Sequence, residues 1–241
     1  MTAGRPRVLV ARPRADAEPL AHRLEALGYD AVLAPVLTIV PIPLPDLGRS
    51  APGLLIATSA NVFIQPLPAA WLGAGLYAVG AATAAAARAA GIAAVRVAGD
   101  DATALAAAVQ REVPPDTRLV LLAGRPRKPE LEKELREAGR SLETIECYEA
   151  RPVAWSDDVL LALRHHPPAA AVHFSRRSAV LTRAALEAAG FAALFATMTH
   201  VCLSEDVASA VRPGSTGPLA VATQPRTESL LQALARILPS G

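Results

Sequence analysis

Small polar residues follow one apolar run after another along this chain, each time opening a helical pattern. Thr58, Ser59 and Asn61 follow Leu54 to Ala57, and Gly80 and Thr83 follow Leu76 to Val79. Ser175 and Ser178 follow Ala170 to Phe174, and Thr227 precedes the last helix. Taken singly, such residues are ordinary caps that accept from the orphan N–H groups of a helix start. Taken together they mark a row of helix N-termini, whose N–H groups and dipoles gather at the carboxyl ends of parallel strands, where open α/β sheets take up ligands. The chemistry on offer is the binding of an anion with several carboxylates. Arg12, Arg125, Arg127, Arg176 and Arg177 also sit just past strand ends, with Gly124 before Arg125. They are either bidentate carboxylate holders or solvated surface cations.

Other chemistries find no support. There is no GxGxxG after the first strand, no GxxxxGK[ST], no HExxH and no GxSxG. Cys147 and Cys202 lie far apart and outside any CxxC pair, which fits a reducing compartment and predicts neither metal nor organic cofactor. His165 and His166 precede Pro167-Pro168 and read as solvated loop residues. With 24 basic and 22 acidic residues the charge is too even for a nucleic-acid or anionic-membrane footprint, so an anion must be held locally. Aromatic residues make up only 4%, which disfavours a base-stacking platform. The start of the chain lacks a secretion pattern, so a cytoplasmic protein is expected. The Ala-rich stretch from Ala78 to Ala94 is too short to span a bilayer and reads as a helix of a folded domain.

The elements that must position these residues alternate: short aliphatic runs, then longer helical patterns, as in parallel sheets flanked by helices. Strands are expected at Val8–Ala11, Ala31–Pro35, Leu54–Ala57, Leu76–Val79, Ala94–Val97, Leu119–Leu122, Ser141–Tyr148, Ala170–Phe174, His200–Leu203 and Leu219–Ala222. The clearest helices, Ala15–Leu27 and Pro129–Ala138, are each closed by a glycine suited to a left-handed C-cap, Gly28 and Gly139. An internal repeat runs through the whole pattern. Val8 to Gly28 recurs as Val120 to Gly139; Thr58 to Asn61 is answered by Phe174 to Ser178, Tyr77 to Ala84 by His200 to Ala208, and Val97 to Leu105 by Val221 to Leu230. A duplicated α/β unit gives two similar lobes with a ligand cleft expected between them, and the length suits two compact domains. Pro35, Pro41, Pro43 and Pro45, and the return from Tyr148 to Pro152, mark two extended crossings. Tyr148 closes the strand that begins near Ser141 and, by residue type alone, is a core tyrosine.

In this order and spacing the blocks resemble the uroporphyrinogen-III synthase family over nearly the whole chain: Val10-Ala11-Arg12-Pro13 with Gly28 and Pro35, Thr58-Ser59-Ala60-Asn61, Val79 to Ala84 with Gly91, Tyr148 with Pro152, Phe174-Ser175, and Thr227 to Leu230. The resemblance implies a bilobal fold. One lobe would be 1–36 with 152–241 and the other 41–147, joined by linkers at 37–40 and 148–151. It implies a cofactor-free cyclisation of hydroxymethylbilane, a linear tetrapyrrole with eight carboxylates, with inversion of the last ring and loss of water. It further implies a monomer that receives substrate from hydroxymethylbilane synthase, with Tyr148 helping the hydroxyl to leave. The substrate would be held by Arg12, Thr58, Ser59, Asn61, Gly80, Thr83, Gly124, Arg125, Ser175, Arg176, Ser178 and Thr227. The chain departs from the family pattern at Ser204 and Val207, and at the paired arginines Arg176 and Arg177. A non-catalytic ligand-binding or regulatory protein on the same fold is the alternative.

Overall fold

A computed structural model of the chain describes residues 4–45, 52–99 and 101–240. In chain order the strands and α-helices are β1 (Arg7–Val10), α1 (Arg14–Ala26), β2 (Asp30–Leu33), β3 (Leu37–Pro41), β4 (Leu54–Ala57), β5 (Gly75–Ala78), α2 (Gly80–Ala89), β6 (Val95–Val97), α3 (Ala102–Glu112), β7 (Leu119–Arg125), α4 (Glu130–Glu137), β8 (Leu142–Pro152), α5 (Asp157–His165), β9 (Ala170–His173), α6 (Arg176–Ala188), α7 (Ala192–Thr197), β10 (Thr199–Cys202), α8 (Glu205–Val211), β11 (Leu219–Val221) and α9 (Thr227–Ile237). They form two compact units: Met1–Thr38 with Arg151–Gly241, and Ile39–Ala150.

The first unit is a five-stranded sheet ordered β2-β1-β9-β10-β11, parallel throughout. The second is ordered β3-β8-β7-β4-β5-β6, parallel from β8 to β6. At its edge β3 runs against β8: the Ile42 N–H donates to the Cys147 carbonyl, and the Val153 N–H to that of Val36. Aligning β7, β8, β4, β5 and β6 with β1, β2, β9, β10 and β11 gives one strand order for both sheets, and this is the pairing of the sequence repeats. The repeat thus encodes topology as well as ancestry.

Burial on both faces explains why the strands read as continuous apolar runs. All four residues of β4, β9 and β10 are buried, and side chains alternate between faces. Leu55 and Ala57 face one cluster with Trp71 and Leu122, while Leu54 and Ile56 face another with Leu105 and Leu121. In the first unit Val8 and Val10 meet Leu230 and Leu234, whereas Leu9 meets Phe195 and Leu186. Among the described residues Trp71, Tyr29 and Phe195 are the largest fully buried side chains, the rest being aliphatic. The Tyr29 hydroxyl avoids an unpaired burial by donating to the Leu238 carbonyl at 2.6 Å. Gly28 and Gly139 adopt φ of 86° and 73° just past α1 and α4, as C-caps do. Buried Arg140 ends α3 by donating to the carbonyls of Val113 (2.8 Å) and Pro114 (2.7 Å).

The segments 37–40 and 148–151, expected as linkers, form parts of β3 and β8, and the boundaries between the two units fall within both, since extended proline-bearing backbone can pair at a sheet edge as readily as it can cross between domains. Tyr148 therefore sits inside a strand and not at its end. His165 belongs to the last turn of α5, with His166 as its C-cap; both are exposed.

Candidate functional site

In the first unit β1 delivers Arg12, β9 delivers Ser175 to Ser178, and β11 leads to Thr227. All lie at the carboxyl edge of one parallel sheet. The Arg12 guanidinium lies 4.2 Å over the Phe174 ring and 3.3 Å from the Asp16 carboxylate, an i,i+4 pair. With Arg23, Pro19 and Thr227 it lines a cavity of about 200 Å³. Ser175 caps α6, its Oγ accepting from the Ser178 N–H (3.1 Å) and donating to the Ser178 Oγ (2.9 Å). Ser178 is buried, so its hydroxyl steadies this turn from within. Exposed Arg176 donates to the Ser209 hydroxyl at 2.6 Å and lies 3.8 Å from Asp206. Ser204 caps α8.

The start of α9 differs: its N-cap residue Arg226 makes no side-chain cap, and the Glu228 carboxylate in the first turn accepts from its own N–H. Beside it a cavity of about 460 Å³ is lined by Thr223, Gln224, Arg226, Glu228, Ser229 and Gln232. Buried Ser229 accepts from the Gln224 N–H at 3.1 Å and shares a 2.9 Å hydrogen bond with Thr223. The sequence reading missed Arg23, Thr223 and Ser229. The signal was available for the last two: a hydroxyl at a strand end and another six residues on, inside the next helix, can close the intervening turn.

In the second unit β4 delivers Thr58, Ser59 and Asn61. Ser59 caps the short 3₁₀ turn Ala60–Phe63 by accepting from the Asn61 N–H at 3.2 Å, while Thr58 is exposed. Gly80 opens α2 at φ 74°, its N–H donating to the Gly99 carbonyl. No side chain caps this helix, and a Cβ at Gly80 would meet nothing within 4 Å. The backbone at that helix start is thus uncovered. Thr83 lies one turn on and is buried with Ala84 and Ala87 on the inner face of α2. At the start of α3 the Asp101 carboxylate already caps the helix at 2.8 Å and would repel an anion.

The end of β7 carries Gly124 and Arg125 beside Tyr148 on β8. The cations here arrive paired. Arg125 lies 3.2 Å from Glu146, and Arg127 reaches Glu146 at 2.7 Å and also Glu132. Burial works against the Glu132 carboxylate, but hydrogen bonds from Arg127 and Thr144 and the charge of Arg136 hold its pKa below the ordinary value. Arg127 is raised in turn, chiefly by its bond to Glu132. Arg125 and Arg127 therefore present half-neutralised charge, and Arg12 and Arg176 likewise have acidic neighbours.

The candidate residues thus form one group in each unit. Arg12, Ser175, Arg176, Ser178 and Thr227 belong to the first. Thr58, Ser59, Asn61, Gly80, Thr83, Gly124, Arg125 and Tyr148 belong to the second. Such groups can hold carboxylates by main-chain donors and exchangeable ion pairs. Among the described residues no cluster of His, Cys, Asp or Glu is arranged to hold a metal ion, and no helix is long and apolar enough to cross a membrane.

A family model described as uroporphyrinogen-III synthase HemD matches residues 18–232, nearly the whole chain. The chain belongs to the uroporphyrinogen-III synthase family. Two solved structures share the fold. Uroporphyrinogen-III synthetase from Helicobacter pylori is 15% identical at a TM-score of 0.66, covering 97% of this chain and 99% of that one. A mutant uroporphyrinogen III synthase from the extremely thermophilic bacterium Thermus thermophilus is 21% identical at a TM-score of 0.55, covering 97% and 98%. No curated protein matches the chain. At such identities these two structures show the shared fold.

Proposed function

We propose that this uroporphyrinogen-III synthase family chain cyclises hydroxymethylbilane to uroporphyrinogen III, inverting the last ring and releasing water. The match to the family model over residues 18–232 carries the reading. The task is to fold a flexible polyanion until its ends meet, which is a problem of orientation and charge. Rows of helix starts suit it. The start of α2 has no side chain competing for its donors, and Arg12 and Arg176 can exchange Asp16 and Asp206 for substrate carboxylates at little cost, since surface ion pairs contribute at most about 1 kcal/mol. Tyr148 donates a hydrogen bond from its phenol to the departing hydroxyl. The substrate's own geometry does the rest, with no cofactor. The protein works in this reading as a cytoplasmic monomer that takes the bilane from the synthase producing it.

The test is a coupled assay with freshly generated hydroxymethylbilane, separating type I and type III isomers. Type III product is expected; type I alone would refute the reading. Tyr148→Phe is expected to slow turnover by about 10² or less, the lower range for one acid-base group. Complete loss of activity in a folded Tyr148→Phe variant would contradict a mainly positional catalyst.

A further inference from the structure

Tyr148 stands where a regular strand would not put it. β7 and β8 pair residue for residue from Leu119↔Leu142 to Ala123↔Glu146, but the next pair is Gly124↔Tyr148, with Cys147 as the extra residue of a β-bulge. Before the bulge, Ile145 on β8 faces the cluster that contains Val120 and Leu122 of β7, and Cys147 faces it too. Strict alternation would turn Tyr148 to the opposite face. The bulge returns it to the same face, packed against that cluster and beside Gly124.

Two further contacts fix this arrangement. A Cβ added at Gly124 would overlap the Tyr148 ring, coming within 2.5 Å of Cε2 and the hydroxyl oxygen, so the ring occupies the space that any larger residue would claim. The bulge itself is held at the Cys147 carbonyl, which accepts from the Ile42 N–H at 2.9 Å and from the Gln65 Nε2 at 2.9 Å. The same Gln65 amide also donates to the Ile42 carbonyl at 2.6 Å, tying β8 to the segment after β3.

We infer that Gly124, the Cys147 bulge and Gln65 form a seat that sets the direction of the Tyr148 hydroxyl, making Gly124 and Gln65 positioning residues and Gly124 the platform of the phenol instead of a direct substrate contact. The proposal rests on the reading of Tyr148 as donor to the departing hydroxyl. Gln65 spends its amide on the Ile42 and Cys147 carbonyls and Gly124 faces the Tyr148 ring, so loss of the seat acts on turnover and not on substrate affinity.

The experiment has a kinetic arm and a structural arm. In the kinetic arm, kcat and KM are measured for Gly124→Ala, Gln65→Met, Tyr148→Phe and the two doubles with Tyr148→Phe. Each seat variant is expected to lower kcat towards the Tyr148→Phe value with KM unchanged, and to have no further effect once the hydroxyl is gone. A seat variant that raises KM with kcat intact, or lowers kcat equally in the Tyr148→Phe background, overturns the inference. In the structural arm, Gly124→Ala is expected to lower the melting temperature in the presence of Tyr148 and not in a Tyr148→Ala background, where the methyl group has room; equal losses in both backgrounds overturn the seat. Should Gly124→Ala fail to fold, Gln65→Met carries the kinetic comparison and the Tyr148→Ala pair the structural one. If Tyr148→Phe itself turns over like the parent protein, the donor role fails while the melting comparison still reads the seat.

Discussion

Arg12 keeps company that shapes what it can do. Stacked on Phe174 and drawn to Asp16, its guanidinium is held in one direction with donors left over at its edge. Arg12→Ala and Arg176→Ala are each expected to raise KM more than they lower kcat; unchanged constants for both would assign these residues to ordinary surface charge. The cysteines are the opposite case. Burial pushes the Cys147 thiol up to about 11 and Cys202 up to about 12, so neither supplies a thiolate near neutrality. Both should resist iodoacetamide in the folded protein and react once it is denatured, and rapid labelling of the native protein would contradict the burial. At this scale the sequence located strand ends well, because a polar residue after an apolar run is a local signal. It did not reveal that Ser59, Ser175 and Ser178 spend hydrogen bonds on their own turns, or that Arg125 and Arg127 meet Glu146, since those partners are set by register and by packing.

Neighbouring strands β9 and β10 carry a buried pair whose hydrogen bonds fix its tautomers. His200 Nε2 donates to the Phe195 carbonyl at 2.8 Å, leaving Nδ1 to accept from His173 Nε2 at 2.9 Å. Burial, and then the neighbouring His200, press His173 down to about 3; His200 is also lowered by burial, against its bond to Phe195. The unfolded chain binds these protons near the ordinary value of 6.5, the folded chain well below it, so stability is retained above about pH 6.5 and is lost as pH falls towards 3. The slope reaches about 1.4 kcal/mol per pH unit for His173. Denaturant midpoints should therefore fall between pH 7 and pH 5, above the range where carboxylates such as Glu132 and Glu205 titrate, and the fall should flatten when both histidines are replaced by Gln. A midpoint that holds steady or rises at pH 5 would contradict the neutral pair. Most strands were legible to within a residue or two, being aliphatic runs buried on both faces, but β7 and β8 run three and four residues past their expected ends. β3 was not legible, because its prolines signal a crossing and an edge strand alike, and the bulge at Cys147 was invisible since it leaves no composition mark.

Each unit carries its own core, so damage should stay local. Trp71, 1% exposed at the centre of one cluster of the second unit, is expected on replacement by Ala to cost about 3–5 kcal/mol. Hydrogen exchange should then accelerate in Ile39–Ala150 alone, and equal acceleration in the other unit would show that the cores unfold together. The duplication was legible in full, because repeats at fixed order survive where single residues do not. How the two copies share the strands leaves no local mark and was expected only from the family resemblance, since pairing partners are chosen by tertiary packing. That sharing has a consequence. Read along the chain, the strands are one series of five given twice: β1, β2, β4, β5, β6, then β7, β8, β9, β10, β11. Yet β1 and β2 pair on with β9, while β7 and β8 pair on with β4. The copies have exchanged their last three strands, as two subunits do in a domain-swapped dimer. Neither copy is a folded unit in this chain, though each holds all five strands of one sheet. The second copy expressed alone, beginning just before β7, should close on itself as a half-size monomer or pair with its twin in the swapped manner, and sedimentation of that fragment would tell which of the two the connection between β8 and β9 allows.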